Sequence, residues 1–299
     1  MTSFFLKLIG IITMLMDHSG DALVKHFSFL NYFGRLAFPI FAFQATQGYL
    51  HTKGLKKYLF RLLVFAFISQ APFMLFLSLF SNEIYLNIFF TLFLGVLTLF
   101  LYDKFKNKIL GFIIVIVSSM ISEFLKFDYG AFGILLIFEF YFFEHELKDK
   151  RINFFNIKLS LKKILMTIGV SFLCFAKYIP NIIKNTSYTN IYLLCGLFTA
   201  LSLLFILPYN RKTRSKIKIF LLYILSFAFA YFVFYWEMMD KGTVLFPEKN
   251  GQQNRPLVRL VRPPCPLGVF CSVPQKIKVP YLFHQLLLMP YFELNHQFL

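Results

Sequence analysis

The sequence predicts an all-α chain, a polytopic integral membrane bundle of about nine transmembrane helices (eight to ten), and three observations predict it. The 299 residues are 58% hydrophobic and 15% charged, against about 45–50% and about 25% in soluble domains. Phenylalanine alone accounts for 43 residues, more rings than a solvated globule can shelter. Nine apolar runs approach the roughly 20 residues that a helix needs to cross a hydrocarbon core.

In chain order the runs are Phe4–Val24, Phe33–Leu50, Tyr58–Phe80, Ile84–Tyr102, Ile109–Phe124, Tyr129–Phe143, Ile164–Ile179, Tyr188–Leu207 and Ile217–Trp236. In lipid each segment must satisfy its own backbone polar groups, so each is assigned to helix. The first run holds Asp17 and His18 where a cleavable leader would end in small residues, and it reads as a retained helix. The third contains Pro72, which predicts a kink. The runs at Ile109 and Tyr129 are short, which predicts tilt or a broken pair.

The net charge is +17, yet its placement argues against nucleic acid. The cations gather in short loops between apolar runs and not in one patch. One alternate set of loops holds Lys53, Lys56, Lys57, Arg61, Lys104, Lys106 and Lys108. It continues with Lys148, Lys150, Arg151, Lys158, Lys162, Lys163, Arg211, Lys212, Arg214, Lys216 and Lys218. The opposite set has Lys25, Arg35, Lys126, Lys177 and Lys184, so the ratio is eighteen to five. The bias of cations toward the cytoplasm then places the N-terminus inside.

Composition changes near Lys241, dividing the chain into a membrane domain, residues 1–240, and a tail, residues 241–299. Eight of the twelve prolines and three of the eight arginines fall in the tail. Such a Pro-rich, basic, aperiodic stretch reads as disordered, or as a frameshifted ending in place of a tenth helix. Four cysteines make no disulfide scaffold, and Cys174 and Cys195 read as small hydrophobes inside apolar runs. No Walker motif, Gly-rich phosphate loop or metal-ligand spacing occurs, which excludes an ATPase and predicts no metal.

Ionisable groups at membrane depth are expensive, about 2.5–3.5 kcal/mol on insertion scales, and so mark candidate sites. The first helix is richest. His18 and Asp21 are three apart and Asp17 and Asp21 four apart, so Asp21 shares a face with either. A carboxylate beside an imidazole fixes its tautomer and raises its basicity, as a general base requires. A polar helix end at the outer interface would show the same spacing, and the residues leave both readings open. Arg35 is placed to pair with Asp17 or Asp21 or to hold an anion, and alternatively to snorkel to headgroups. Gln44, Gln47 and His51 form one polar stripe and Asn87, Thr91, Gly95 and Thr98 another, as helix-packing residues do. Asn87 stands out as an amide able to orient a carbonyl. Glu139 is a lone carboxylate, read as lying near the cytoplasmic end beside Glu144 and His145. The basic loop around Lys57 and Arg61 suits anionic lipid or a phosphorylated cofactor equally.

These residues also carry a resemblance. Leu6-Lys7-Leu8-Ile9, Thr13-Met14, Asp17-His18 and Gly34-Arg35-Leu36-Ala37-Phe38-Pro39-Ile40-Phe41-Ala42-Phe43 resemble the TraX family. Gly48-Tyr49-Leu50-His51-Thr52, Lys57-Tyr58-Leu59-Phe60-Arg61-Leu62 and Asn87-Ile88-Phe89-Phe90-Thr91-Leu92 with Gly95 continue it across residues 4–95. The resemblance implies a multi-helix acyltransferase of the bacterial inner (cell) membrane that takes acetyl groups from cytoplasmic acetyl-CoA. It implies His18 as the catalytic residue, with Asp17, Asp21 and Arg35 beside it. Lys57 and Arg61 would hold the donor's phosphates, its pantetheine arm would thread between helices, and Arg35 or Asn87 would meet the oxyanion. The acceptor implied is a pilin N-terminus, with an envelope glycan as the other candidate. A transporter or flippase is the rival class, though no internal repeat is found. A non-catalytic scaffold for pilus or envelope assembly is the third.

Overall fold

The computed structural model describes residues 1–23, 29–77, 84–105, 107–147, 151–154, 157–184, 186–210, 246–248 and 257–259. The run Ile217–Trp236 and most of the tail, with Cys265 and Cys271, lie outside the described residues.

The body is helical. Helix α1 (Ser3–Leu23) packs on α2 (Phe29–Gly34) and on α3 (Ala37–His51). The sequence predicts one helix from Phe33, whereas the chain turns at Arg35 and Leu36 between two. Pro39 accounts for the position of the break. In the first turn of α3 its missing amide leaves no bond unmade, while it could not have continued α2. Next come α4 (Leu55–Leu77), with Pro72 in its interior, and α5 (Ile88–Lys104). Helix α6 (Lys108–Phe124) begins at Asn107, whose side chain accepts from the Ile109 amide at 2.9 Å.

Helix α7 (Gly130–Tyr141) is the centre of the packing and touches α3, α5, α6 and α8 (Leu161–Ala176). Its Ile134, Leu136, Ile137, Phe140 and Tyr141 are fully buried, as a helix apolar all round must be. It ends in a single π-helical turn, Phe142–Glu146. After α8 come α9 (Ile179–Lys184), α10 (Thr189–Leu201) and α11 (Leu203–Ile206). Two short antiparallel ribbons qualify the all-α expectation. Strand β1 (Arg151–Phe154) pairs with β2 (Ile157–Ser160), and β3 (Phe246–Glu248) pairs with β4 (Leu257–Arg259). The second ribbon lies within the tail that the sequence predicts to be irregular.

By length and composition, three stretches among the described residues can cross a membrane: Leu55–Leu77, Leu161–Lys184 and Thr186–Ile206. This is fewer than the nine runs predict. Helices α3, α5, α6 and α7 run only 12 to 17 residues, and α1 carries Lys7, Asp17 and Asp21.

Helix α6 nevertheless has its polarity turned inside out. Gly111, Ser118, Ser119 and Ser122 are buried against the body, while Ile116, Met120 and Phe124 are exposed. Small and hydroxylated residues inward with bulky apolar ones outward is the pattern of a helix solvated by lipid.

Side-chain bonds tie the cation-rich ends of the helices together. Lys163 Nζ donates to the Leu207 carbonyl at 3.1 Å, and the Asn210 amide donates to the Met1 carbonyl at 3.0 Å. Lys162 Nζ reaches the Glu144 carbonyl at 3.0 Å. Lys108 Nζ meets Glu146 Oε1 at 2.8 Å and holds that carboxyl below the usual carboxylate range. A carboxyl lowered in the fold stabilises above its unfolded value, near pH 4.3, and loses that contribution as pH falls through the folded value. Both groups are largely solvated, so Lys108→Met should cost about 0.5 kcal/mol at neutral pH. Thermal unfolding in detergent should show the difference vanish below about pH 4.

Candidate functional site

The end of the bundle opposite the basic loops gathers most of the buried charge. Arg35, at the turn between α2 and α3, places Nη2 3.3 Å from Asp17 Oδ1 on α1. Asn31, one helical turn earlier and 1% exposed, donates Nδ2 to Asp21 Oδ1 at 2.6 Å. The same amide nitrogen lies 3.2 Å from the Asp17 carbonyl and 3.3 Å from Asp17 Oδ1. One amide thus bridges the two carboxylates that the sequence singles out. Gly34 makes the approach possible, because a Cβ there would fall inside the Asp17 side chain.

His18 points into the bundle. Its ring meets Phe76 of α4 edge-on, with centroids 5.0 Å apart at 62°, and both ring nitrogens are shielded from solvent. Asp17, His18, Asp21 and Arg35 are therefore brought together as predicted.

Two charged residues that sequence reasoning assigned to loops join them. The turn between α6 and α7 is pinned to the chain before α5, with the Asp128 amide donating to the Leu86 carbonyl at 2.8 Å. It carries Asp128 into electrostatic range of Asp17 and Arg35. Lys177, at the end of α8, interacts with Asp17, Arg35 and Asp128. Its ammonium lies 4.4 Å from the centre of the Tyr129 ring and 4.8 Å from that of Phe132, within cation–π range. Tyr129 in turn stacks on Phe38 at 3.6 Å and 6°. Periodicity could have revealed Asn31, four residues before Arg35 on the same face. Asp128 and Lys177 belong to elements distant in sequence, and no local pattern links them.

Asn87 corrects an expectation. Its amide donates to the Ala66 carbonyl and to Gln70 Oε1, both at 2.8 Å, while its oxygen accepts from the Phe89 amide at 2.9 Å. Both amide hydrogens are engaged, so Asn87 caps α5 and ties it to α4, with no donor left for a carbonyl or a donor molecule. Gln70 is held in the same lattice, donating to the Tyr85 carbonyl at 2.7 Å.

Lys57 and Arg61 lie at the far end of α4, in an open groove of about 580 Å³ lined also by Thr52, Gly54, Lys56 and Phe60. Three cations line it and the first turn of α4 holds no acid, which suits a phosphorylated ligand. Arg61 and Phe76 are fifteen positions apart on one helix, or about 22 Å at 1.5 Å per residue. The groove and His18 therefore occupy opposite ends of the bundle.

A family model described as TraX protein matches residues 3–180, a range that includes all of these residues. The chain is also similar to a probable fimbrial assembly protein, FimC of serogroup H1, from Dichelobacter nodosus. The two are 38% identical over 73 residues, 23% of this chain and 30% of that one. The chain thus spans about three-tenths of that relative's length. No solved structure matches.

Proposed function

Because the chain belongs to the TraX family, we propose that it is a membrane-embedded acyltransferase moving an acetyl group from cytoplasmic acetyl-CoA to an envelope acceptor such as a pilin N-terminus. The observation that carries the reading is His18, held inside the bundle against Phe76 beside carboxylates ordered by Asn31 and Arg35. An imidazole so placed takes a proton from an incoming amine or hydroxyl, and Arg35 is the cation nearest to meet developing negative charge. The fimbrial-assembly relative supports a role connected with pili, and a glycan of the envelope is the alternative acceptor.

The cation pattern of the loops supports an N-terminus in the cytoplasm of a bacterial cell and about nine crossings of its inner membrane. The inverted face of α6 supports burial in lipid. In this orientation the groove of Lys57 and Arg61 faces the compartment that holds acetyl-CoA, and it would take the donor's phosphates. No metal enters the scheme.

The test is label transfer by the full chain in vesicles, with labelled acetyl-CoA outside the basic face and candidate acceptors on the other. An acyltransferase moves the label to acceptor and frees coenzyme A. A flippase or scaffold leaves acetyl-CoA intact, and that result would sink the proposal. Lys57→Ala with Arg61→Ala should raise KM for acetyl-CoA about 10-fold or more with little change in kcat, since two charged contacts to phosphate are removed.

A further inference from the structure

The end of the bundle that carries the groove also holds a hydrogen-bonded chain that the reaction above does not use. Asp103, near the end of α5, accepts from two phenols: Tyr49 of α3 at 2.5 Å, and Tyr141 of α7 through a very short bond. The Tyr141 oxygen lies 2.9 Å from His145 Nδ1, and the two rings stack at 5.1 Å and 20°. A phenol has a single proton. Since that of Tyr141 goes to the carboxylate, its oxygen accepts from Nδ1–H, and the imidazole lone pair must lie on Nε2. The His145 side chain is 55% exposed, so this nitrogen faces outward.

His145 owes its place to the π-helical turn Phe142–Glu146 that closes α7, a departure from regular helix that often marks functional positions. Lys162 fastens the turn through the Glu144 carbonyl, and Lys108 through Glu146. Buried Tyr141, Asp103 and Tyr49 thus orient one accessible basic nitrogen, the arrangement of a nucleophile or base backed by an orienting group.

Distance gives this centre its role. A donor anchored by its phosphates at Lys57 and Arg61 is about 22–28 Å from the level of His18, counting along α4. The pantetheine arm amounts to about four peptide units of chain and extends about 14 Å. The arm therefore cannot bring its thioester to His18 while the phosphates remain in the groove, contrary to the threaded path implied by the resemblance. The Tyr49 end of the relay, by contrast, lies one helical turn before Thr52, which lines the groove.

We propose that the basic end holds a second reactive centre, in which Nε2 of His145 opens the thioester of a donor bound in the adjoining groove. The inference rests on the acyltransferase reading. In the step, Nε2 adds to the thioester carbonyl carbon, the C–S bond breaks, and the thiolate departs. The Nδ1 proton passes to the Tyr141 oxygen as the phenolic proton moves to Asp103. The products are N-acetylimidazole at His145, protonated Asp103 and coenzyme A thiolate, which then takes that proton. His145 is the catalytic residue here, and Tyr141 and Asp103 position it.

The experiment uses the full chain in vesicles with acetyl-labelled coenzyme A and no acceptor, followed by rapid quenching. The wild type should release a burst of free thiol, with label retained on the peptide that contains His145. His145→Gln should slow the burst about 100-fold or more while binding coenzyme A as the wild type does. His18→Ala should retain the burst. The near-isosteric Tyr141→Phe should slow it about 10-fold or more without altering half-saturation, a separation that a loss of fold would not produce. A wild-type burst in His145→Gln, or label on another residue, in a protein that still transfers acetyl groups overturns this inference and leaves the acyltransferase reading standing. Absence of thiol release by the wild type with every acceptor overturns both.

Discussion

Replacing His18 with alanine is expected to abolish acetyl transfer while the protein still inserts and accumulates. The ring is buried against Phe76, so its removal deletes the proton acceptor at the end of the bundle where Asp17, Asp21 and Arg35 converge. General-base catalysis contributes about 10²–10⁴ in rate, and a loss of that size in labelled-acceptor formation is the predicted result. Abundance in the membrane fraction and coenzyme A binding at the groove are the controls, since neither depends on the imidazole. Transfer at the wild-type rate would remove His18 from the mechanism.

Gly34→Ala is predicted to be the most damaging conservative change outside the reacting groups. The added methyl would occupy the position of the Asp17 side chain, and α1 and α2 are too closely packed to absorb it. Overpacking costs about 1–3 kcal/mol, and here the strain falls on the Asp17–Arg35 pair. The expected outcome is a less stable protein with transfer reduced by about 10-fold or more, because small displacements of positioned groups are costly in rate. Gly54→Ala is the comparison, since a Cβ there meets nothing nearer than 3.9 Å. Equal behaviour of the two variants in thermal unfolding and transfer would refute the account.

How far the sequence could be read depended on how local each cause is. Helices α1, α4, α5 and α6 lie close to their predicted runs because apolar length is a property of the run itself. The break at Arg35 and Leu36 was missed because Pro39 sits inside an apolar stretch that hydropathy alone reads as continuous. Asp17, His18, Asp21 and Arg35 were found from spacing and converge as expected. Asp128 and Lys177 were not found, because α6, α7 and α8 must pack before those side chains share a neighbourhood. Asn87 shows the opposite error. Its polarity looked available, but four nearby backbone and side-chain groups use it fully. The short ribbon β1–β2 escaped notice because a basic loop of that length gives no strong alternation.

Helix α6 turns its bulky face outward over only 17 residues, which is about 25 Å of axis, while an average hydrocarbon slab is about 30 Å thick. Lipids along that flank must compress to match it, dimpling the sheet on one side of the protein. Such a dimple draws the two headgroup planes together beside the bundle and shortens the journey between its ends. It also gives the molecule a preference for thin patches of membrane, where this deformation costs least.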